Sequence, residues 1–304
     1  MLKVKRTLKL LKYDLGAMFK YWWVIALITP ITAFITAILL RGYISSVELV
    51  ADMTVKGQDG LAVMFVMLFT MGEMFGAYVA SIIFGATLLA TEILIFIRFF
   101  KHFYTDEGYL TFTLPVSRRE LYLSKVISSM IITLAQVAFM VLGAGLMLLI
   151  VPPSDAGLWI FAKQTWEFIA EMLRNWEFWK VSALLLVNGV IGVGVAVGGI
   201  FMEITLLQMC ITIGSVIVKR GKVFVAVGCW YLISQVYSYI ISGLYTAFYF
   251  LFLSSFSFIL NLTVYHILFA CIPLLLMIAA IFWTVGFLFY NITQMLIDKK
   301  LNLA

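Results

Sequence analysis

The sequence predicts an all-α polytopic membrane protein with about six transmembrane helices and an N-terminal amphipathic interfacial helix, on its composition, run lengths and periodicity. Of the 304 residues, 64% are apolar and only 12% are charged, where an ordinary soluble domain carries about 25% charged residues. A surface facing water cannot be assembled from so few charges. Several apolar runs reach or exceed the roughly 20 residues that a helix needs to cross about 30 Å of hydrocarbon. None of these runs alternates over about ten residues as a spanning strand would, so helices are the spanning element. Cys210, Cys229 and Cys271 all lie inside apolar runs, where they read as small packing residues, with no disulfide framework and no metal site expected.

The chain is read as a single transmembrane domain over 1–304. Its first part, 1–20, places Val4, Leu8, Leu11, Leu15 and Met18 at helical spacing, with Lys3, Lys5, Arg6, Lys9, Lys12 and Lys20 around them. Such a segment is an interfacial helix whose lysine stems reach anionic headgroups. It leads through Trp22 and Trp23 into a retained first span at about 21–41, which is too long for a signal peptide. A polar outer loop, 42–60, is expected next. The apolar stretch 61–100 would be about 60 Å long as one helix, so it must project, bend or hide a re-entrant piece. Gly72, Glu73 and Gly76 mark the expected break, which puts the second span at about 74–97.

The third span is expected at about 124–151, ending at Pro152-Pro153. Segment 156–180 carries Ala162, Trp166, Ile169, Leu173 and Trp176 on one helical face, away from Lys163, Glu167, Glu171 and Arg174. It reads as an outer amphipathic helix with tryptophan anchors. In the overlong run 181–218, Gly189, Gly192, Gly194, Gly198 and Gly199 are spaced so that helices can approach closely in lipid. The fourth, fifth and sixth spans are expected at about 195–218, 223–250 and 267–290. The serine-bearing 251–266 suits a short re-entrant element.

Orientation follows from the basic residues. Sixteen of the 21 Lys and Arg fall in 1–20, 98–125, 219–222 and 299–300, and the remaining five are Arg41, Lys56, Lys163, Arg174 and Lys180. The positive-inside rule therefore predicts that both termini are cytoplasmic. The net charge of +6 reports this topology, and no nucleic-acid partner is expected.

Catalytic chemistry is not visible. No G-x-x-x-x-G-K-[ST] phosphate cradle occurs, because Val216 stands where Gly221-Lys222 would need a first glycine. His102 and His266 fall on opposite sides of the predicted topology, so neither a histidine metal site nor a Ser-His-Asp arrangement is expected. Among the carboxylates in apolar runs, Glu92 lies near Arg98 and Glu73 near the outer boundary. Glu203 stands about 21 Å deep. A mid-bilayer charge costs at least about 2.5–3.5 kcal/mol, so Glu203 is expected to face a translocation path or an interhelical polar contact, with Glu73 the second path candidate.

The inner loop 98–123 carries the most information. Ser117 with Glu120 forms a capping box that starts the third helix, and Gly108 suits the end of a short turn. Exposed aromatics and acids between two such boundaries suit the docking of a protein partner.

Over 98–125 the sequence R-F-F-K-x-F-Y-x-D-E-G-Y-L-T-F-T-L-P-V-S-R-R-E-L-Y-L-S-K resembles the segment after the second span in type-two ABC exporter permeases of Gram-positive bacteria. Tyr290-Asn291-Ile292-Thr293, leading to Lys299-Lys300-Leu301-Asn302-Leu303, is similar to that family's closing segment. Lys219-Arg220-Gly221-Lys222 sits at its usual basic inner turn. The resemblance implies a permease subunit of a bacterial cell membrane that is not itself an enzyme. It implies a second permease subunit, identical or homologous, and separate ATP-binding cassette subunits that hold the ATP and Mg, with no cofactor on this chain. It also implies a coupling helix in the inner loop, with Phe103, Tyr104, Asp106, Glu107, Tyr109 and Leu110 as candidate contacts to the ATPase. The implied cargo is an amphipathic or antimicrobial peptide, with lipid-like or other hydrophobic cargo as the alternative. Outside the family, an ion-coupled secondary transporter or channel using Glu73 and Glu203, or a membrane scaffold, is the rival reading. The outer segment 156–180 and the long apolar runs are larger than in the family's shortest members.

Overall fold

The computed structural model describes residues 2–58, 60–105, 108, 116–151, 166–167, 176–218, 221–256 and 264–300. Six long helices account for almost all of them: α1 (Leu2–Val55), α2 (Gly60–Tyr104), α3 (Arg118–Ile150), α4 (Trp176–Ile217), α5 (Lys222–Phe256) and α6 (Val264–Lys300). Each contains a stretch long and apolar enough to cross a membrane, and no strand occurs among the described residues. The protein is therefore an all-α, multi-pass membrane protein. Helices are the necessary solution, because each one satisfies its backbone groups internally where no water is present.

The helices are longer and less interrupted than the residue pattern predicts. α1 runs without a break from the basic segment through the first span, and its 54 residues measure about 80 Å. The expected outer loop 42–60 is helical up to Val55. The chain stops there because Gly57 takes a φ of 64°. Its N–H then bonds the Thr54 carbonyl at 3.3 Å, and the Gln58 N–H bonds the Met53 carbonyl at 3.2 Å. This pair of bonds closes a Schellman end.

α2 does not break at Gly72, Glu73 and Gly76. Gly76 instead lets Leu39 of α1 approach to 3.2 Å from where its Cβ would stand, so that glycine serves packing and not a bend. Likewise α4 begins at Trp176, well before 195, and continues through its glycines. Of the expected re-entrant stretch 251–266, residues 251–256 extend α5 and 264–266 open α6, while 257–263 lie outside the described residues. Most of the expected amphipathic segment 156–180 lies outside them too.

The chain forms two compact units. One comprises Gly16–Ile95 and Ile131–Met172. Its core is a stripe on α1 built from Trp22, Ala26, Thr29, Ala33, Thr36 and Ala37, buried along with Ala77, Ala80, Thr87 and Thr91 of α2 and Ile132 and Gln136 of α3. Between helices in lipid, apolar bulk gives no advantage over the surrounding chains, and small residues that admit close contact do. The threonines suit this stripe because their hydroxyls bond back to their own helix, Thr29 to the Ile25 carbonyl at 3.0 Å and Thr36 to the Thr32 carbonyl at 2.8 Å. Each then presents a methyl group to its neighbour. Gly143 of α3 fits against Ala33 and the Phe84 ring.

The other unit comprises Met1–Leu15, Phe96–Met130 and Leu173–Ala304. At its centre lies the C-terminal half of α4, where Phe201, Met202, Ile204, Thr205, Leu206, Met209, Cys210, Ile211 and Thr212 are buried, whereas Leu186, Val190 and Val193 nearer its start are exposed. Apolarity around the whole circumference permits both, since no face of the helix needs water. α6 packs along α4. Gly198 faces the Trp283 indole and Gly286 faces the Phe201 ring, and Phe201 stacks on Trp283 with centroids 5.5 Å apart. Only part of the expected glycine row is used this way: a Cβ at Gly189, Gly192 or Gly194 would meet nothing within 4 Å, and Gly194 serves through its carbonyl, which accepts the Trp283 indole N–H at 3.3 Å. Cys210 packs with Leu206 and Met209, and Cys229 lies against that cluster.

Candidate functional site

The inner loop is held at both ends by the second of these units. On its N-terminal side, α2 ends in a run of rings in which Phe99 and Phe103 have centroids 4.8 Å apart and Phe99 meets Tyr122 of α3 edge-on at 6.3 Å. Tyr104, the last residue of α2, donates its hydroxyl to Thr212 Oγ1 on α4 at 2.8 Å. The Thr212 hydroxyl in turn donates to the Gln208 carbonyl at 2.8 Å. Beyond the helix, the Gly108 N–H bonds the Thr105 carbonyl at 2.8 Å. A Cβ on Gly108 would stand 2.9 Å from the Phe103 carbonyl oxygen, so the turn requires glycine.

On the C-terminal side, the predicted capping box is present. The Ser117 N–H donates to Glu120 Oε2 and the Glu120 N–H donates to Ser117 Oγ, both at 3.3 Å. One residue further, Arg118 reaches α6, where Nη1 donates to the carbonyl of Ile297 at 3.3 Å and of Asp298 at 3.1 Å. These belong to the last turn of α6, whose carbonyls have no helical partner, and a guanidinium is well matched to that negative end. Tyr122 stacks on Tyr290 at 4.9 Å. Lys125 forms an ion pair with Asp14 of α1, and Ser124 Oγ donates to the other Asp14 oxygen at 3.1 Å. The two charged side chains are only 8% and 13% exposed.

The candidate coupling residues divide. Phe103 is 2% exposed and Tyr104 is bonded inward, so neither is presented as an outer contact surface. Tyr104 fastens the loop to α4 through Thr212, and Phe103 packs on Phe99, the ring that meets Tyr122 of α3, since apolar rings are more stable buried than offered to water. Asp106, Glu107, Tyr109 and Leu110 lie outside the described residues.

The carboxylate candidates are each engaged by an adjacent helix of their own unit. Glu203 Oε1 accepts the indole N–H of Trp230 on α5 at 2.9 Å. This is the interhelical polar contact foreseen as one of its two uses. Glu73 Oε2 accepts the Ser46 hydroxyl of α1 at 2.7 Å, and its carboxylate lies against Gly42.

Residue pattern alone did not single out Asp14, Lys125, Arg118 or Gln136. Asp14 carried a signal, as the one acid among the bases of 1–20, in line with Leu11, Met18 and Trp22 at helical spacing. That line, and not one through Leu8, is the inward face, for Leu8 is 57% exposed and Met18 3%. Gln136, fully buried in the other unit, accepts the Trp22 indole N–H at 3.1 Å through Oε1. Its Nε2 donates to Thr29 Oγ1 at 2.8 Å and to Thr87 Oγ1 at 3.1 Å. One amide thereby joins three helices.

Comparison of the chain with protein-family models, with curated proteins and with solved structures returned no match.

Proposed function

We propose that this chain is the membrane-spanning permease subunit of an ATP-binding cassette exporter, driven by separate ATPase subunits. On this reading it sits in a bacterial cell membrane with both termini in the cytoplasm and pairs with a second permease subunit, identical or homologous. The exported cargo is an amphipathic or antimicrobial peptide, and ATP and Mg are held by the partner ATPases.

The observation that carries the reading is the double mounting of the inner loop. Tyr104 ties its start to α4 through Thr212, and Arg118 ties its end to the last turn of α6. A loop that merely rested among headgroups would need neither tie. A loop that transmits displacement needs both, because a push on 105–117 then passes directly into two helices. Nucleotide can move such an assembly only through differential affinity for its two arrangements, so the ATPase must grip the loop more tightly in one of them. The resemblance of 98–125 to the coupling segment of type-two exporters supports the same assignment.

An ion-coupled carrier would use free carboxylates at depth. The engagement of Glu203 by Trp230 and of Glu73 by Ser46 instead suits fixed helix contacts. Purification of the chain from its native membrane without cross-linking tests the proposal. A nucleotide-binding subunit carrying its own phosphate-binding loop should co-elute at equal stoichiometry and lose its association when 105–117 is replaced by a glycine-serine linker of equal length. Flux driven by an ion gradient in vesicles holding this chain alone would refute it.

A further inference from the structure

α1 and α2 run antiparallel, and their contacts fix their levels: Leu39 meets Gly76, and Ser46 donates to Glu73, whose carboxylate lies against Gly42. Along α1, Trp22 and Arg41 stand about 30 Å apart. That is the thickness of the hydrocarbon, and tryptophan and arginine anchor at its boundaries. Glu73 therefore marks the Arg41 boundary on α2. From Glu73 to Arg98 the helix runs about 37 Å, enough to cross, so Gly60–Gly72, about 18 Å of helix, stands beyond the membrane. At that level the two helices differ. α1 turns charge to the solvent, where Asp52 and Lys56 form an exposed ion pair. α2 has no charged residue from Gly60 to Gly72, yet Leu61, Met64, Leu68 and Met71 are each more than half exposed.

These four begin a longer row. Leu61, Met64, Leu68, Met71, Phe75 and Tyr78 follow one another at alternating steps of three and four, all between 51% and 70% exposed. The same steps continue on the exposed side over 82–89, which makes the row about 42 Å long. A repeat of 3.5 residues is the pattern by which one helix supercoils on another. We propose that α2 pairs in parallel along this seam with α2 of a second copy of the chain. This deepens the proposed function, on which it rests for the presence of a second permease subunit, by making that subunit identical. Lipid can cover the seam only below Glu73, and an apolar row left in water above it is unfavourable. The partner must itself raise an uncharged apolar helix about 18 Å past the same boundary, and a second copy inserted the same way does so at the same height. A two-fold axis along the membrane normal sets each seam residue beside its own copy. Like charges do not meet there, because the one charge between 60 and 89 is Glu73, which is turned to α1. The exposed seam offers roughly 1,000 Å², against about 800 Å² per partner in a stable interface. Within the hydrocarbon a Cβ at Gly85, also on the seam, would meet nothing within 4 Å, which leaves room for a second helix to come close.

The test uses the full chain, expressed without any ATPase or other subunit, with Cys210, Cys229 and Cys271 replaced by serine or alanine. Single cysteines are placed on the seam, Met64→Cys and Met71→Cys, and at two exposed positions off it, Phe69→Cys on α2 and Leu49→Cys on α1. After oxidation in membranes the seam cysteines should give a disulfide-linked dimer of the chain at a yield several-fold above both controls. A charge pair then reads the partner. Leu68→Glu, tagged one way, and Leu68→Lys, tagged another, should each lose most self-association when expressed alone, because like charges meet at the seam. Expressed together, the two should co-purify and regain cross-linking through Met71→Cys, which a misfolded variant would not do. Equal yields on and off the seam, no dimer of the chain by itself, or no recovery in the mixed Glu and Lys pair would overturn the proposal. None of these results touches the exporter reading, which stands or falls on the co-eluting ATPase.

Discussion

Gln136→Leu probes the unit built from α1, α2 and α3 at its most connected point. The substitution is close to volume-conserving, so it removes hydrogen bonds without opening a large cavity. Three bonds disappear, at 3.1, 2.8 and 3.1 Å, and their partners do not suffer equally. Thr29 and Thr87 keep the bonds that their own hydroxyls donate to the carbonyls of Ile25 and Phe84, so they lose only an incoming donor. Trp22 is 4% exposed, and its indole N–H is left with no acceptor. Side-chain hydrogen bonds between membrane helices contribute about 0.6 kcal/mol on average and about 1.7 at most. An orphaned buried donor adds about 1 kcal/mol. A destabilisation of about 2–3 kcal/mol follows, well over tenfold in the folding equilibrium. Equilibrium unfolding in mixed micelles against increasing SDS measures it. Combined with Trp22→Phe, which removes the donor that would be orphaned, the two losses should be less than additive, with a coupling of about 1 kcal/mol. A Gln136→Leu protein within about 0.5 kcal/mol of wild type, or strict additivity in the cycle, would refute the reasoning.

Three further outcomes are expected. Lys125→Ala strands the Asp14 carboxylate in a site where it is 13% exposed and should cost about 3 kcal/mol in the same unfolding assay. Asp14→Asn with Lys125→Met should recover most of that loss, because no unpaired charge remains. Tyr104→Phe removes the bond to Thr212 while keeping the ring, so expression and stability should change by about 1 kcal/mol or less; on the proposed function, nucleotide-stimulated export should fall while partner ATPase turnover persists, and tightly coupled export in that variant would count against the mount. Glu203→Gln retains an oxygen to accept the Trp230 N–H and should leave stability and transport near wild type, whereas Glu203→Leu should lower stability by about 1–2 kcal/mol; loss of transport in a stably expressed Gln variant would show that the charge itself is used.

The fold class was legible because the hydrocarbon sets a length and an apolarity that no other environment demands, and the six helices fall where the apolar runs do. Their extents were less legible. Gly72 and Gly76 suggest a break when only propensity is weighed, but in lipid a broken helix exposes backbone groups that nothing can satisfy. The chain therefore stays helical and uses Gly76, Gly198 and Gly199 for contact. Residues 42–55 look like a loop because they are polar, and only the close at Gly57 shows where the helix stops. For the candidate site, the Ser117 and Glu120 cap could be read locally, since its partners are three residues apart. Arg118 with the end of α6, Asp14 with Lys125, and Gln136 with Trp22 could not. Each joins residues more than 100 positions apart, and a spacing rule carries no information about such pairs. Phe103 and Tyr104 were candidate contacts because the resemblance implies a coupling helix there; Phe103 is instead buried against Phe99, and Tyr104, half-buried, spends its hydroxyl on Thr212.

Sidedness of the inner loop tests the account most directly. A Glu107→Cys protein, in a background where Cys210, Cys229 and Cys271 are replaced by serine or alanine, is treated with a membrane-impermeant maleimide in intact cells and in inside-out vesicles. The account predicts labelling in the vesicles alone, with protection when the partner ATPase is bound. Labelling from the outside of intact cells would contradict it.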